Sequence, residues 1–327
     1  MKHKQLVKGF IASAAMLVFL FDGESALHSA QSGIDLCIKT IVPSLLPFLF
    51  LSIIQTNSFS GNSLPFGRFL SCFCGIPKGA ESILVSSYLG GYPVGAQCIA
   101  SAYKTGVLQQ EDAERMLSFG SNAGPVFLFG MLYPFFPSQR FIWLLWGIHI
   151  LSSLLVAQTI NHPLTHGTNF VRKYSISFSE AMQQAISIVS TICGWVILFR
   201  VIATFINKWM FGHLSTSWQT VLMGFLELTN GCYELSSVSD ISLRFVICSC
   251  LLAFGGICVL LQTISVIQSL SPRYYIAGKL LQTVYSFLIS VGIAYRCAYF
   301  TFPFLFLILM LLRKQQKNSR FRTFSVV

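Results

Sequence analysis

Two stretches decide how this chain folds: SSYLGGYPVGAQ, from Ser86 to Gln97, and LSFGSNAGPVFLFG, from Leu117 to Gly130. Each is apolar at its ends and interrupted at its centre by Gly, Pro, Ser or Asn. In hydrocarbon no water is at hand for the N–H and C=O groups that such breaks release. A break is therefore tolerated only where protein buries it or where it lines a polar cavity. Composition says that the surroundings are hydrocarbon: of 327 residues 54% are apolar and only 10% are charged. Apolar runs of about 20 residues, long enough to cross a bilayer, recur along most of the chain. The expectation is an all-α polytopic membrane protein with no soluble domain.

The chain reads outward from these breaks as follows. Residues 1–33 form a signal-anchor helix, with Lys2, Lys4 and Lys8 ahead of its apolar run, and then an outer loop. A span from Ile34 to Gln55 is kinked by Pro43 and Pro47. The segment Ser82 to Tyr103 is a re-entrant hairpin of two half-helices. Lys104 to Met116 is a cytoplasmic amphipathic turn and helix with Glu111 and Arg115 paired at i, i+4. A span broken at Gly120–Pro125 follows, then another from Phe141 to Ile160, so that 34–160 is one membrane unit. The polar linker 161–179 is cytoplasmic. The second unit, 180–297, has a span from Ala185 to Ile206 and a second hairpin in VLMGFLELTNGCYEL, interrupted at Glu227, Thr229, Asn230 and Gly231. It continues with a span broken at Gly255 and Gly256, and a span from Tyr274 to Tyr295. A last helix and a basic tail occupy 298–327.

Charge gives the orientation. This scheme places sixteen Lys and Arg residues inside, Arg115 and Lys279 among them, against five at the outer side, with Arg200 within a span. Both termini are then cytoplasmic. The net charge of +11 reads as topology and not as a nucleic-acid surface, because the basic residues sit in connectors and tails. The ten cysteines are scattered through apolar segments without zinc-site spacing. His162 and His166 stand at i, i+4, but Pro163 breaks a helix between them.

The two units match in order: kinked span, hairpin, broken span, plain span. PFLF at Pro47–Phe50 aligns with VILF at Val196–Phe199, and GYPVG at Gly91–Gly95 with ELTNG at Glu227–Gly231. By the charge count they lie opposite ways up, which is the arrangement of inverted-topology repeats whose broken helices surround a solute site near the bilayer midplane. The candidate site residues follow: Gly91, Tyr92, Pro93 and Gln97 from the first hairpin, Ser121, Asn122 and Gly124 from the first broken span, Glu227, Thr229 and Asn230 from the second hairpin, Gly255 and Gln262 from the second broken span, and Arg200. Glu227 is the sharpest, since a carboxylate in an apolar segment is expensive and commonly functional. The alternative is a Glu that reaches water or pairs with Arg200. Arg200 is an anion-binding group or a snorkelling helix-end Arg. The amides and hydroxyls suit a neutral polar solute, or else act as helix–helix glue.

The motifs PSLLPF (Pro43–Phe48), GGYPVGA (Gly90–Ala96), EDAERML (Glu111–Leu117), SNAGPVF (Ser121–Phe127), GFLELTNG (Gly224–Gly231) and FGGICVLLQ (Phe254–Gln262) resemble, in that order, those of the nucleoside recognition (Gate) domain family, and within it the YlbJ-type sporulation integral membrane proteins. The resemblance covers about Ile34 to Tyr295. It implies a bacterial inner-membrane protein of an endospore former, similar to proteins needed for spore cortex formation and shaped like a solute carrier. Gln97 stands where that pattern has Lys, and Ser121 where it often has a second Asn.

The expected activity is a permease for a small polar solute, nucleoside-like or other. The rival is a non-transporting scaffold for spore envelope assembly that recruits partners through the helix Gln109–Met116 or the basic tail. No phosphate-binding loop, zincin motif or Ser/His/Asp arrangement occurs, so neither an enzyme nor a cofactor is expected. The partners are the lipid bilayer and the solute, with a coupling ion (proton or Na+) and a homo-oligomer left open, and without nucleic acid.

Overall fold

The computed structural model describes residues 2–59, 67–160 and 176–296, and every regular element in them is helical. Most of the linker and all of 298–327 lie outside the described residues, as do His162 and His166. Five helices among the described residues are long and apolar enough to cross a bilayer: Gly23–Gln55, Gln139–Thr159, Phe178–Phe211, Ile241–Ile267 and Arg273–Ala294. The chain is an all-α polytopic membrane protein.

Helix α1 (Lys2–Phe21) meets α2 (Gly23–Leu36) at Asp22, whose carboxylate caps α2 by accepting from the Ser25 N–H. A π turn, Cys37–Ile41, joins α2 to α3 (Val42–Phe59). Pro43 and Pro47 each lack the N–H that the helical ladder needs, and a π turn immediately ahead of them takes up the mismatch. Residues 23–33, expected as an outer loop, are therefore helical. Their polar sequence is held in a helix by packing: the Ser29 hydroxyl reaches Thr204 at 3.0 Å, and at Gly33 a Cβ would stand 3.1 Å from the Ile197 backbone.

The short α4 (Gly67–Cys74) precedes the first hairpin, α5 (Glu81–Gly90) and α6 (Val94–Lys104), and then α7 (Gln110–Gly120). After an irregular stretch at 121–124 the chain continues through α8 (Pro125–Phe127), a π turn and a 3-10 turn to Phe135, and returns in α9 (Gln139–Thr159). The second half opens with α10 (Phe178–Ile206), started by a Ser177/Glu180 capping box. The second hairpin is α11 (Thr216–Leu226) and α12 (Leu228–Glu234). The second broken helix is α13 (Ile241–Phe254) with α14 (Gly256–Ile267), and α15 (Arg273–Ala294) closes the described chain.

Contacts show that the two units run opposite ways. The long first helices lie side by side, pairing Ser29 with Thr204, Cys37 with the Cys193 carbonyl and Phe50 with Phe178; the numbers rise on one as they fall on the other. Helix α7 is antiparallel to α9, with Arg115 bonded to Ala157, Ser153 to Phe119 and Ala123 to His149. Its counterpart α13 starts beside the start of α9, where Phe245 meets Phe141. Equivalent helices thus point in opposite directions.

One expectation is corrected. Residues 110–116 are not a free amphipathic helix but the opening of the broken helix, with Asp112, Glu114 and Arg115 only 4%, 9% and 3% exposed. Hydropathy does not reveal this, because the partners that satisfy the buried charges come from distant segments. Arg115 donates to the carbonyls of Cys74, Gly75, Ala157 and Ile160, where the ends of α4 and α9 present unpaired acceptors. Glu114 accepts from the Ser271 N–H at 2.9 Å, tying the start of α7 to the start of α15.

Helix α15 crosses α7 so closely that a Cβ at Gly278 would lie 2.0 Å from the Ser118 carbonyl oxygen. Gly278→Ala is expected to destabilise by about 1–3 kcal/mol, read as a lower thermal midpoint in detergent. Gly147→Ala, where nothing lies within 4 Å, should leave the midpoint unchanged or raised.

Candidate functional site

The four breaks meet. Gly91, at φ 79°, is the turn of the first hairpin, and a Cβ there would stand 2.7 Å from the Gly124 nitrogen in the first broken helix. Next to it Tyr92 crosses to the second unit, donating its hydroxyl to the Leu252 carbonyl at 2.9 Å. Gly255 lies against the Tyr92 ring, and Gly256 against Gly224 and Leu228 of the second hairpin. At Gly91 and Gly256 backbone approaches backbone directly, which only glycine permits.

A cavity of about 410 Å³ opens at this junction. Gly91, Tyr92, Gly124, Glu227, Thr229 and Gln262 supply its polar wall, and side chains of α2, α3, α10 and α14 such as Leu36, Leu45, Val196 and Val259 its apolar wall. Lys39, whose side chain is 72% exposed and bonded to Asp35 at 2.8 Å, lies on its rim. Glu227 ends α11 in an extended conformation and begins α12 in the same residue. Its carboxylate, 3% exposed, accepts from the Thr229 N–H at 3.0 Å and the Asn230 N–H at 2.7 Å. It is a helix cap as well as a cavity wall, a negative group at the positive end of a half-helix. No ion pair within 4.0 Å joins Glu227 to Arg200 among the described residues, and Arg200 instead donates to Ser32 at 3.3 Å.

Behind Tyr92, away from the cavity, lies a buried polar cluster. Lys279 of α15, 3% exposed, donates to Gln282 Oε1 at 2.8 Å, Tyr92 Oη at 3.1 Å and Asn122 Oδ1 at 3.4 Å. Gln282 also bonds Asn122 at 2.9 Å and the His149 carbonyl at 3.2 Å, and Ser286 bonds Ser152 at 3.0 Å. The charge count placed Lys279 on the inner side, and the structure buries its side chain within the fold. The signal was present: Lys279, Gln282, Ser286 and Ser290 stand at i, i+3, i+7 and i+11, one polar stripe on an apolar helix. Without those two buried cations the inside excess is still fourteen against five.

The sequence-predicted residues thus separate into groups. Six line the cavity. Asn122 belongs to the Lys279 cluster, with Gly255 beneath the Tyr92 ring. Asn230 and Arg200 face a second cavity of about 380 Å³ between α2, α10 and the second hairpin. Pro93 and Ser121 are buried at the ends of α6 and α7, and Gln97 is half-buried on α6.

Fold and site define a class: a membrane protein of two oppositely oriented units, each with a hairpin and a broken helix, whose breaks meet beside a cavity lined from both units. Among curated proteins the chain is similar to the sporulation integral membrane protein YlbJ of Bacillus subtilis (strain 168), with 24% identity over 314 residues, 80% of this chain and 76% of that one. No family model matches the chain, and no solved structure does.

Removal of the Glu227 cap by Glu227→Ala should cost about 0.5–2 kcal/mol of stability, while Glu227→Gln, which keeps an acceptor, should cost less than half as much. Thermal midpoints of the three proteins in detergent measure the difference.

Proposed function

We propose that this chain is a carrier for a small polar solute, working by alternating access in a bacterial cell membrane with both termini cytoplasmic. One observation carries the reading: the breaks of two inverted units meet beside a cavity lined from both, with a capped carboxylate, a hydroxyl, an amide and an aromatic face. Such a wall offers directional bonds on one side and apolar contact on the other, which suits a solute with a flat or aliphatic body and polar edges, nucleosides included. About 410 Å³ is within the range of small-molecule sites. The order of motifs supports placing the chain in the Gate-type family, and the similarity to YlbJ supports a role in sporulation.

The scaffold alternative docks partners through Gln109–Met116 or the basic tail: the burial of Asp112, Glu114 and Arg115 counts against the helix, and the tail lies outside the described residues.

A panel of nucleosides, amino acids and small carboxylates should contain at least one compound that raises the thermal midpoint of the purified protein and enters proteoliposomes. Uptake should fall at least tenfold in Glu227→Ala and in Thr229→Ala. If no compound in the panel binds, and cells carrying these variants sporulate normally, the carrier reading is wrong.

A further inference from the structure

We propose that the pocket around the Lys279 ammonium is a monovalent-cation site that the chain fills with its own side chain, so that the carrier cycle is coupled to protonation of Lys279 instead of to a dissolved metal cation. The inference rests on the carrier reading above for its cycle, but the site itself stands on geometry.

Every polar group in reach presents oxygen to the nitrogen. Tyr92 spends its hydroxyl proton on the Leu252 carbonyl, leaving its oxygen to accept from Lys279. Asn122 spends its amide N–H groups on the Phe119 carbonyl and Ser153, which turns Oδ1 toward Lys279. Gln282 spends its N–H groups on Asn122 and the His149 carbonyl, which turns Oε1 the same way. Three oxygens at 2.8, 3.1 and 3.4 Å match the three donors of an ammonium. The rings of Tyr92 and Tyr275, 4.8 and 5.8 Å from Nζ, add negative π faces. An oxygen-only shell without a carboxylate suits a hard cation of low charge, as at the broken helices of carriers that bind Na+ or H+.

No carboxylate lies within ion-pair distance of Lys279 among the described residues. The titratable groups that face it are Tyr92 from the first hairpin, Tyr275 from its own helix and His149 from α9, whose Nε2 accepts from the Ala123 N–H and so carries no proton. The positive charge is thus held by dipoles alone, an expensive arrangement inside a membrane. When the shell opens, one Nζ–H bond breaks, its electron pair stays on nitrogen, and the proton passes to water on that side. Tyr92 links the two sites directly, since the residue lines the solute cavity and its oxygen accepts from Lys279. Loss of the proton leaves the amine two N–H donors for three oxygens, which loosens the shell that holds Tyr92 and the hairpin turn.

The test uses the purified full chain and its tryptophan fluorescence melt, in sodium, ammonium or choline chloride at equal ionic strength, from pH 6 to about pH 10. Wild type should not distinguish the three salts. Lys279→Ala should be stabilised by several degrees, saturably, by ammonium or sodium over choline. Gln282→Glu, which sets a carboxylate 2.8 Å from Nζ, should move the alkaline fall in midpoint upward by about one pH unit or more. A Lys279→Ala protein indifferent to salt overturns the proposal, as does a wild type stabilised by sodium. Should Lys279→Ala not fold, Gln282→Glu decides: an upward shift supports the site and no shift overturns it. None of these readouts involves solute, so failure of the solute panel leaves them intact, and their failure leaves the carrier reading to its own test.

Discussion

Everything in this structure depends on finding partners for backbone groups that four helix breaks release where no water is available. The solution is local and largely made by side chains. Glu227 takes the N–H groups of Thr229 and Asn230, and the His149 ring takes that of Ala123 at 2.9 Å. Ser153 and Asn122 both donate to the Phe119 carbonyl at the end of α7, and Tyr92 to the Leu252 carbonyl near the end of α13. Glycines let what remains close against neighbouring backbone. At the breaks the polar side chains are therefore committed mainly to the main chain, whereas around Lys279 they turn chiefly toward one another.

A second pattern lies at the ends of the helices. Arg115 gathers carbonyls from the ends of α4 and α9, and Arg244, near the start of α13, donates to the Phe135 and Val238 carbonyls at 2.7 and 2.5 Å. These arginines sit in equivalent broken helices of opposite direction. They fasten opposite ends of the molecule, while the middle is held by hydrogen bonds without ion pairs among the described residues, contacts that each contribute about 1 kcal/mol inside a membrane. Such a division leaves the centre as the part able to rearrange while the ends stay intact.

The breaks were legible in the sequence because Gly, Pro and Asn inside an apolar run have few meanings, and the repeat was legible because the order of elements recurs. The location of charge was not. Hydropathy assigns a Lys or Arg near a span end to water, yet Arg115 and Lys279 are inside because acceptors gathered from distant segments surround them. Asn122 and Glu227 were both picked out as polar residues at breaks, but sequence spacing says nothing of the Tyr92 ring that stands between the cavity and the Lys279 cluster. Arg200 and Asn230 were likewise assigned to one site with the others, and only the fold shows the second hairpin dividing two hollows.

The antiparallel contact between the long first helices of the two units has a consequence for how such a chain arises. Matching faces meet across a pseudo-two-fold axis between the two antiparallel helices, so the contact is isologous. A half-length chain threaded through the membrane in both directions would make the same contact with its own upside-down copy. The joined form needs no new surface, only a tether, and once tethered each half is free to diverge, which is how one copy comes to carry the tyrosine and the other the glutamate.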